Sequence, residues 1–194
     1  MNETIKNLTK AFIGESLARN RYAFYAKIAK KEGYEQVVEI FEETAEQERE
    51  HASWLLKLIN QIKQKEGYEI SEINVDSGSS IILGSTIDNL KAAIDGENHE
   101  HSNMYPDFAD VAEKEGFLDI AKRLRAIAIS EMHHEERFKN ILNQILNKTI
   151  YEKEEEIEWS CRKCGYTHKG KTPPEECPSC SHGHNYFERK CEEY

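Results

Sequence analysis

The sequence lacks cysteine throughout its first 160 residues, and all five cysteines lie beyond that point. A disulfide framework for the whole chain is therefore excluded. The sequence also lacks an apolar stretch of membrane-spanning length, and its start at Met1 carries no basic-then-apolar leader. We therefore expect a cytoplasmic protein. In a reducing compartment, clustered cysteines indicate metal binding or redox chemistry.

Basic residues are fewer than acidic ones, and the formal net charge is −10. This balance argues against nucleic acid as a partner and favours a soluble protein. The length of 194 residues suits one domain plus a small appendage.

Four segments carry apolar residues at steps of three and four, a spacing that predicts amphipathic helices. We expect these helices at about Glu3–Lys31, Glu35–Glu66, Thr86–Lys114 and Phe117–Leu146. In every segment, acid or acid plus histidine interrupts the apolar stripe near its middle. The interrupting residues are Glu15, Glu48 with His51, Glu97 with Glu100, and Glu131 with His134.

Acidic residues on a buried face need a compensating charge. Burying one unpaired carboxylate costs roughly several kcal/mol even after relaxation, and five close together would be driven to protonate. Two bound cations remove both problems, because Glu plus His at i, i+3 spacing is how helical bundles bind two metal ions. We therefore predict a dimetal site formed by these seven residues, with a water-filled polar core as the alternative. His99, His101 and His133 lie one position from a predicted ligand, so we expect them at the surface or hydrogen-bonded to ligands.

The segment from Gly67 to Ser85 shows no helical period, and a connection of that length is what a crossover in a bundle requires. Gly33 and Gly67 are predicted to be left-handed caps of the first two helices. Pro106 is predicted to kink the third helix just beyond its acid pair, because proline removes a backbone donor.

The two predicted hairpins resemble each other. Glu48 follows Glu15 by 33 residues, and Glu131 follows Glu97 by 34. Tyr22 lies seven residues after Glu15, whereas Tyr105 lies eight after Glu97. A pseudo-twofold site follows, with one additional carboxylate, Glu100, from the third helix.

The composition changes after Ile150, so we predict a bundle domain over 1–150, a charged linker over 151–158 and a small domain over 159–194. The small domain contains two C-x-x-C pairs separated by 12 residues, a strong four-thiolate metal signal. Its ligands are Cys161, Cys164, Cys177 and Cys180. The metal would supply folding energy that so short a segment cannot obtain from a core. Iron and zinc both accept four thiolates, disulfides are the less favoured alternative, and Cys191 is a spare thiol.

Several of these motifs together resemble the rubrerythrin family over essentially the whole chain. They are Glu15-Ser16-x-x-Arg19-x-Arg21-Tyr22, Glu48-x-x-His51, Glu97-Asn98-x-Glu100-His101-x-x-Met104-Tyr105-Pro106, and Glu131-x-x-His134 with Arg137-Phe138. The C-terminal segment resembles a rubredoxin-type domain in Gly165, Cys177-Pro178 and Tyr186-Phe187-Glu188. Ser181 departs from that pattern, which usually has Gly there, and a left-handed backbone costs a non-Gly residue about 1 kcal/mol.

The resemblance implies a ferritin-like four-helix bundle that acts as a non-haem di-iron peroxidase and reduces hydrogen peroxide to water. It also implies roles for the residues: Glu48 and Glu131 would bridge the irons, Glu15 and His134 would complete one iron, and Glu97, Glu100 and His51 would serve the other. In the family, that second iron moves between Glu100 when oxidised and His51 when reduced. Tyr22 and Tyr105 would hydrogen-bond to ligand carboxylates, with simple core filling as the alternative.

The resemblance further implies that an iron bound by the four cysteines passes electrons singly to the di-iron site. In the family, the donor site comes from the partner subunit of a head-to-tail dimer, so we expect a homodimer or higher homo-oligomer. The chain shows no dinucleotide fingerprint, so electrons would come from a rubredoxin or a separate NAD(P)H-dependent reductase. Two alternatives stay open: a ferroxidase or iron-storage protein, and a regulatory protein with zinc in the C-terminal site.

Overall fold

A computed structural model describes residues 1–191 of the chain; residues 192–194 of the predicted C-terminal domain lie outside the described residues. The N-terminal part is helical, and a small antiparallel sheet follows it. The helices are α1 (Glu3–Lys31), α2 (Glu35–Glu66), α3 (Thr86–His99), α4 (Tyr105–Lys114) and α5 (Leu118–Leu146). The strands are β1 (Ile157–Cys161), β2 (Thr167–Gly170) and β3 (Phe187–Arg189).

The helices begin and end at residues that satisfy their free backbone groups. Gly33 and Gly67 have φ values of +82° and +67°, which confirms the two predicted left-handed caps. Ser85 and Asp88 form a capping box at the start of α3. Residues 68–85 contain no helix or strand, and this segment joins α2 to α3 as the predicted crossover.

Two carboxylates cap helices in the opposite hairpin. The Glu32 carboxylate accepts a hydrogen bond from the Thr86 N–H at 3.0 Å, at the start of α3. The Glu115 carboxylate accepts from the N–H groups of Glu3 and Thr4, both at 2.8 Å, at the start of α1. Each hairpin therefore stabilises the first turn of the other, where the helix dipole favours a negative charge.

The third predicted helix is interrupted. Its sequence was expected to form one kinked helix, but the structure has a π-helical turn over Glu100–Met104, between α3 and α4. The Tyr105 N–H bonds to the Glu100 carbonyl, five residues back. Pro106 lies in the first turn of α4, where its missing N–H is not needed. The break therefore precedes the proline and takes the form of a wide turn.

Two apolar clusters fill the bundle, one on each side of the layer of glutamates and histidines that interrupts the apolar stripes. The first is centred on stacked aromatic rings, with Phe41 5.2 Å from Phe138 and 5.9 Å from Tyr22 between ring centroids. The second cluster includes Leu55 and Leu124, both fully buried. Burial of each such side chain stabilises the fold by about 1.5–3 kcal/mol. The two clusters therefore hold in place the layer of glutamates and histidines that lies between them.

The C-terminal sheet has the order β2-β1-β3, with both pairs antiparallel. Trp159 is fully buried in it and donates from Nε1 to the Gly170 carbonyl at 2.9 Å. The domain contacts the bundle through Gln36, whose Nε2 donates to the Phe187 carbonyl at 2.9 Å. The expected architecture, a ferritin-like four-helix bundle with a crossover and a rubredoxin-like domain, is confirmed. Among residues 1–191, no helix is long and apolar enough to cross a membrane.

Candidate functional site

Six of the seven predicted dimetal ligands converge at the middle of the bundle. Glu15 comes from α1, Glu48 and His51 from α2, Glu97 from α3, and Glu131 and His134 from α5. The four glutamates and His134 are at most 2% exposed, and His51 is half-buried. The interruptions of the apolar stripes therefore lie inside the molecule, where charge needs a counter-charge.

The six side chains form two overlapping groups whose ligand atoms lie within 4.8 Å of one another. One group contains Glu15 and His51, and the other contains Glu97 and His134. Glu48 and Glu131 belong to both groups. Two carboxylates shared between two four-residue groups is the arrangement that a pair of bridged metal ions requires.

This grouping differs from the expected one, which placed His134 with Glu15 and His51 with Glu97. The geometric reason is the hairpin packing: α1 packs mainly against α2, and α3 packs mainly against α5. Each histidine therefore meets the glutamate of its own hairpin partner. His51 and Glu15 approach to 3.8 Å, and His134 and Glu97 approach to 3.6 Å.

Glu100, the seventh predicted ligand, lies in neither group. It is half-buried at the first position of the π-helical turn. The turn explains the extra residue in the second repeat. Gly33 follows Tyr22 by 11 residues and Gly116 follows Tyr105 by 11, so the one-residue difference is confined to the interval between the glutamate and the tyrosine.

The hydrogen bonding of the six converging side chains indicates whether they fit bound cations. Among the described residues, several of their buried polar atoms form no hydrogen bond of acceptable geometry, although buried polar groups are normally satisfied. They are Glu15 Oε2, Glu48 Oε1, Glu97 Oε2, both carboxylate oxygens of Glu131, and His134 Nδ1. The approach of His134 Nδ1 to Glu131 Oε2 at 2.8 Å is an ion pair rather than a directed hydrogen bond. Carboxylate oxygens and imidazole nitrogens are ligands that iron accepts. The residues present therefore fit a di-iron centre.

The two imidazoles are the positive partners of the carboxylates in this pocket. Burial works to raise the pKa of Glu48, but close contacts with His134 and His51 outweigh it and lower that pKa to about 2. Burial opposes charge on both histidines, yet contacts with Glu131 and Glu48 raise the pKa of His51 to about 10 and of His134 to about 12. Burial raises the pKa of Glu97 to about 8. The site is therefore built for positive charge.

Two tyrosines orient the outer carboxylates across the repeats. The Tyr22 hydroxyl on α1 donates to Oε1 of Glu97 on α3, and the Tyr105 hydroxyl on α4 donates to Oε1 of Glu15 on α1. Both tyrosines are almost completely buried, and burial followed by the neighbouring carboxylates raises their pKa values. Each phenol therefore keeps its proton and holds one carboxylate in orientation.

Glu135 is a buried acid that sequence reasoning missed. Its carboxylate lies 3.2 Å from His101 Nε2 and 2.7 Å from Lys139 Nζ. His101 belongs to the π-helical turn, so this contact ties the turn to α5 beside His134. A step of four from Glu131 leads to Glu135, so the interrupted stripe contained the signal.

The second centre is formed by the predicted cysteines. Their sulfur atoms all lie within 4.8 Å of one another, and they are Cys161, Cys164, Cys177 and Cys180. The Sγ atoms of Cys161 and Cys180 are 3.8 Å apart, and those of Cys164 and Cys177 are 3.6 Å apart. Four thiolates about 2.3 Å from a tetrahedral metal lie about 3.8 Å from one another, so the spacing fits. Ser181 has a φ of +56°, the left-handed conformation expected at that position.

Backbone amides and a hydroxyl surround these sulfur atoms. The Tyr166 N–H and the Ser179 hydroxyl lower the pKa of Cys164 to about 6. The His182 N–H hydrogen-bonds to Cys180 in the second knuckle. The thiolate form, which binds metal, is therefore favoured at Cys164 before any ion is bound.

Known proteins resemble the chain along its length. Two family models match, one described as Rubrerythrin over residues 6–142 and one described as the rubredoxin-like domain of rubrerythrin over residues 159–188. A Methanocaldococcus jannaschii protein is 61% identical over 195 residues, covering 100% of this chain and 96% of its own. Rubrerythrin-1 of Clostridium acetobutylicum is 46% identical over 192 residues, covering 99% and 96%. The solved structure of fully reduced, all-ferrous nigerythrin is 31% identical, with a TM-score of 0.61, covering 96% of this chain and 86% of its own.

Proposed function

The chain belongs to the rubrerythrin family, and on that premise we propose that it is a peroxidase that reduces hydrogen peroxide to water. Family membership makes it an oxidoreductase with a di-iron carboxylate–histidine site and a rubredoxin-like four-cysteine site. The proposal adds the substrate and the direction of electron flow, from the four-cysteine iron to the di-iron centre, one electron at a time.

The reaction balances as one peroxide, two electrons and two protons giving two waters. Two ferrous ions held by the two ligand groups would supply both electrons in one encounter, so no radical would have to be released. The protein fixes four of the five carboxylates around the reacting centre. Glu48 and Glu131 are shared by both ligand groups, while Tyr22 and Tyr105 orient the carboxylates of Glu97 and Glu15. Fixed donors of this kind need no reorganisation during the reaction.

One observation supports a peroxidase above the alternatives: the dimetal pocket and a rubredoxin-like four-cysteine site occur in the same chain. An iron-storage protein does not need a built-in single-electron donor. The asymmetric position of Glu100, outside both ligand groups, adds support. It leaves one carboxylate free to respond to the charge of the metal pair, in keeping with the exchange between Glu100 and His51 known for the family.

The principal test compares oxidants. Anaerobically reduced, iron-loaded protein is mixed with peroxide or with dioxygen in a stopped-flow instrument. We expect oxidation of the diferrous site by peroxide to be much faster. Equal or reversed rates would contradict the peroxidase assignment. Light scattering on the same sample tests iron storage, since a storage protein requires a large cage, whereas we expect a homodimer or small homo-oligomer. A red protein reports iron at the four-cysteine site, and a colourless domain would indicate zinc.

The proposed supply of electrons involves a second copy of the chain and a separate donor, a rubredoxin or an NAD(P)H-dependent reductase, in the cytoplasm. Within one chain, the Arg162 side chain of the first knuckle forms an ion pair with Glu39 on α2. Glu39 precedes Glu48 by nine residues, which is about 13.5 Å along a helix. The path is tested by mixing two variants and allowing their subunits to exchange. Cys161→Ser removes a ligand of the four-cysteine site, and Glu131→Ala removes a ligand of the dimetal site, so neither variant has both sites intact. Recovered turnover would show transfer between subunits, and its absence would show transfer within one chain.

A further inference from the structure

A cavity of about 580 Å³ lies beside the dimetal site, between α1, α3, the π-helical turn and the crossover segment. Glu100 forms part of its wall. The same wall includes Gly14 and Gly96, the residues that immediately precede Glu15 and Glu97. The cavity therefore borders the site on the side where the seventh carboxylate lies.

The two glycines occupy equivalent positions in the two repeats, and both lie inside helices. A helical glycine costs about 1 kcal/mol relative to alanine, so its presence needs a reason. Neither glycine has a positive φ. A Cβ atom added at Gly14 or at Gly96 would meet no atom within 4 Å. Close packing therefore does not require them, and what they provide is open space in the cavity.

The crossover segment covers the outer side of this space. Arg21 on α1 donates from Nη1 to the Ser79 hydroxyl at 3.0 Å, which ties the segment to the bundle. Residues 76–80 of the segment line the cavity and are exposed on their other side. The route from solvent to Glu100 is therefore short, and the hydrogen bond between Arg21 and Ser79 helps to hold its cover.

The charges around the cavity are mixed. Its basic residues are Lys10 and Arg21, and its acidic residues are Asp76, Asp95, Asp107 and Glu100. A strongly charged or a purely apolar ligand would be poorly matched by such a lining, because part of the surface would repel or fail to solvate it. A small, uncharged molecule that both donates and accepts hydrogen bonds is matched well.

We propose that this cavity is the entry route to the dimetal site, selective for small uncharged hydroperoxides, with Gly14 and Gly96 keeping it open. The inference rests on the proposed peroxidase function. It assigns to Ser79 and Arg21 the role of retaining the cover, so that bulky hydroperoxides are excluded while hydrogen peroxide passes. Glu100 is the first residue of the metal centre that the entering molecule meets.

The test places larger side chains at the two glycines of the cavity wall, so that they fill the cavity. Gly14→Leu and Gly96→Leu are compared with Asn20→Leu, a matched leucine on the exposed side of α1. We expect all three variants to bind the same number of Co²⁺ ions at equilibrium. Oxidation of the reduced protein by hydrogen peroxide should slow about tenfold in both cavity variants, through a lower second-order rate constant. Gly14→Ala should slow it less than leucine does.

A second readout does not depend on peroxidase turnover. Nitric oxide, a small uncharged molecule, is mixed with the reduced, iron-loaded protein, and its binding, followed by the absorbance change, should slow in the cavity variants to a similar extent. If nitric oxide and peroxide both reach the site at the rates of Asn20→Leu, the entry route is wrong. If nitric oxide binding slows in the cavity variants but the unmodified protein reacts no faster with peroxide than with dioxygen, the route stands and the peroxidase function fails.

If a leucine variant does not fold, a substitution in the crossover segment provides a second test, because it opens the cavity instead of filling it. Ser79→Ala removes the hydrogen bond to Arg21 without filling space. We expect it to raise the rate with tert-butyl hydroperoxide about tenfold relative to the rate with hydrogen peroxide. An unchanged ratio of the two rates would contradict the role of the cover in size selection.

Discussion

At the scale of single residues, the five glutamates of the dimetal pocket are chemically identical but differ in their contacts. Glu48 and Glu131 face both ligand groups, Glu15 and Glu97 each face one and are held by a tyrosine, and Glu100 faces neither. The five acids therefore differ in how freely they can move. Shared carboxylates are constrained from two sides, whereas the half-buried Glu100 borders open space.

This difference leads to a prediction for Glu100. A Glu100→Ala variant should keep its fold and bind two metal ions, because both ligand groups are complete without it. Peroxide turnover should fall by about tenfold or more, equivalent to about 1.4 kcal/mol or more of transition-state stabilisation. Metal analysis and a peroxide assay on the same sample provide the check. Turnover equal to that of the unmodified protein would remove the functional argument for the asymmetric carboxylate.

At the scale of secondary-structure elements, the two helical hairpins form an internal repeat, and the second hairpin contains a one-residue insertion. The insertion appears as the π-helical turn over Glu100–Met104, and the helix resumes its former register at Tyr105. Single-turn π segments inside helices are rare and occur frequently at functional sites. Glu100 follows Glu97 by three residues, as the buried Ala18 follows Glu15, but Glu100 is only half-buried.

Removing the inserted residue should therefore convert the second repeat to the form of the first. Deletion of Asn103, which is exposed in the turn, should produce one continuous α-helix from Thr86 to Lys114. We expect thermal stability to be retained or raised, since regular α-helical hydrogen bonds replace the wide turn, while peroxide turnover falls to the level of Glu100→Ala. A crystal structure of the variant would show the change. A variant that is fully active with a regular helix would contradict the functional role of the turn.

The exchange of helix caps between hairpins is a second feature at this scale. Thr4 is fully buried, and its N–H and hydroxyl both donate to the Glu115 carboxylate. Partial burial, the largest single influence, works to raise the pKa of Glu115. The hydrogen bonds outweigh it and hold that pKa below its ordinary value of 4.5. A group with a lowered folded-state pKa stabilises the fold above its unfolded pKa and loses that effect as pH falls through the folded value.

Glu115→Gln should accordingly reduce the free energy of unfolding by about 1 kcal/mol at pH 7, the usual value of a helix cap. The difference from the unmodified protein should shrink as pH falls below 4.5, because the carboxylate is protonated first in the unfolded state and then, at lower pH, in the folded state. Chemical denaturation of both proteins at several pH values measures this. Glu136→Gln, at an exposed position of α5, serves as the control. A loss that is independent of pH would indicate that the charge of Glu115 is not the cause.

At the scale of the whole molecule, the C-terminal domain is docked on one end of the bundle. The Tyr151 hydroxyl lies 3.3 Å from the Gly33 carbonyl of the bundle and 3.2 Å from the Asn185 carbonyl of the C-terminal domain. Its ring packs edge-on against His184 at 5.1 Å. Tyr151 is the first residue of the proposed linker over 151–158, so the linker itself takes part in the docking.

The docking is tested by Tyr151→Phe, which keeps the ring and removes the hydroxyl. We expect a loss of about 1 kcal/mol in docking free energy, the usual net value of a hydrogen bond. The loss should appear as faster tryptic cleavage at Lys153, within the linker. Tyr68→Phe, in the crossover, is the matched control. If the cleavage rates of the two variants are equal, the Tyr151 hydroxyl does not hold the domains together.

Much of this protein follows from the sequence alone. Apolar spacing predicted the outer ends of the four helical segments to within a residue or two, although it gave the third segment as one helix. Glycines predicted the left-handed caps, the segment without a helical period predicted the crossover, and the spacing of the cysteines predicted the second centre. These features depend on residues close together in the chain, where the helical period and knuckle spacing leave few choices. The interrupted stripes likewise identified the six side chains that converge.

Only the tertiary structure decided how those side chains divide between two groups, and it reversed the expected partners of His51 and His134. It also decided the π-helical turn that separates Glu100 from the other ligands, the burial of Glu135 against His101, and the cavity beside them. Each of these depends on which helices pack together and at what rotation. Such contacts join residues far apart in the chain, and a local periodicity carries no information about them.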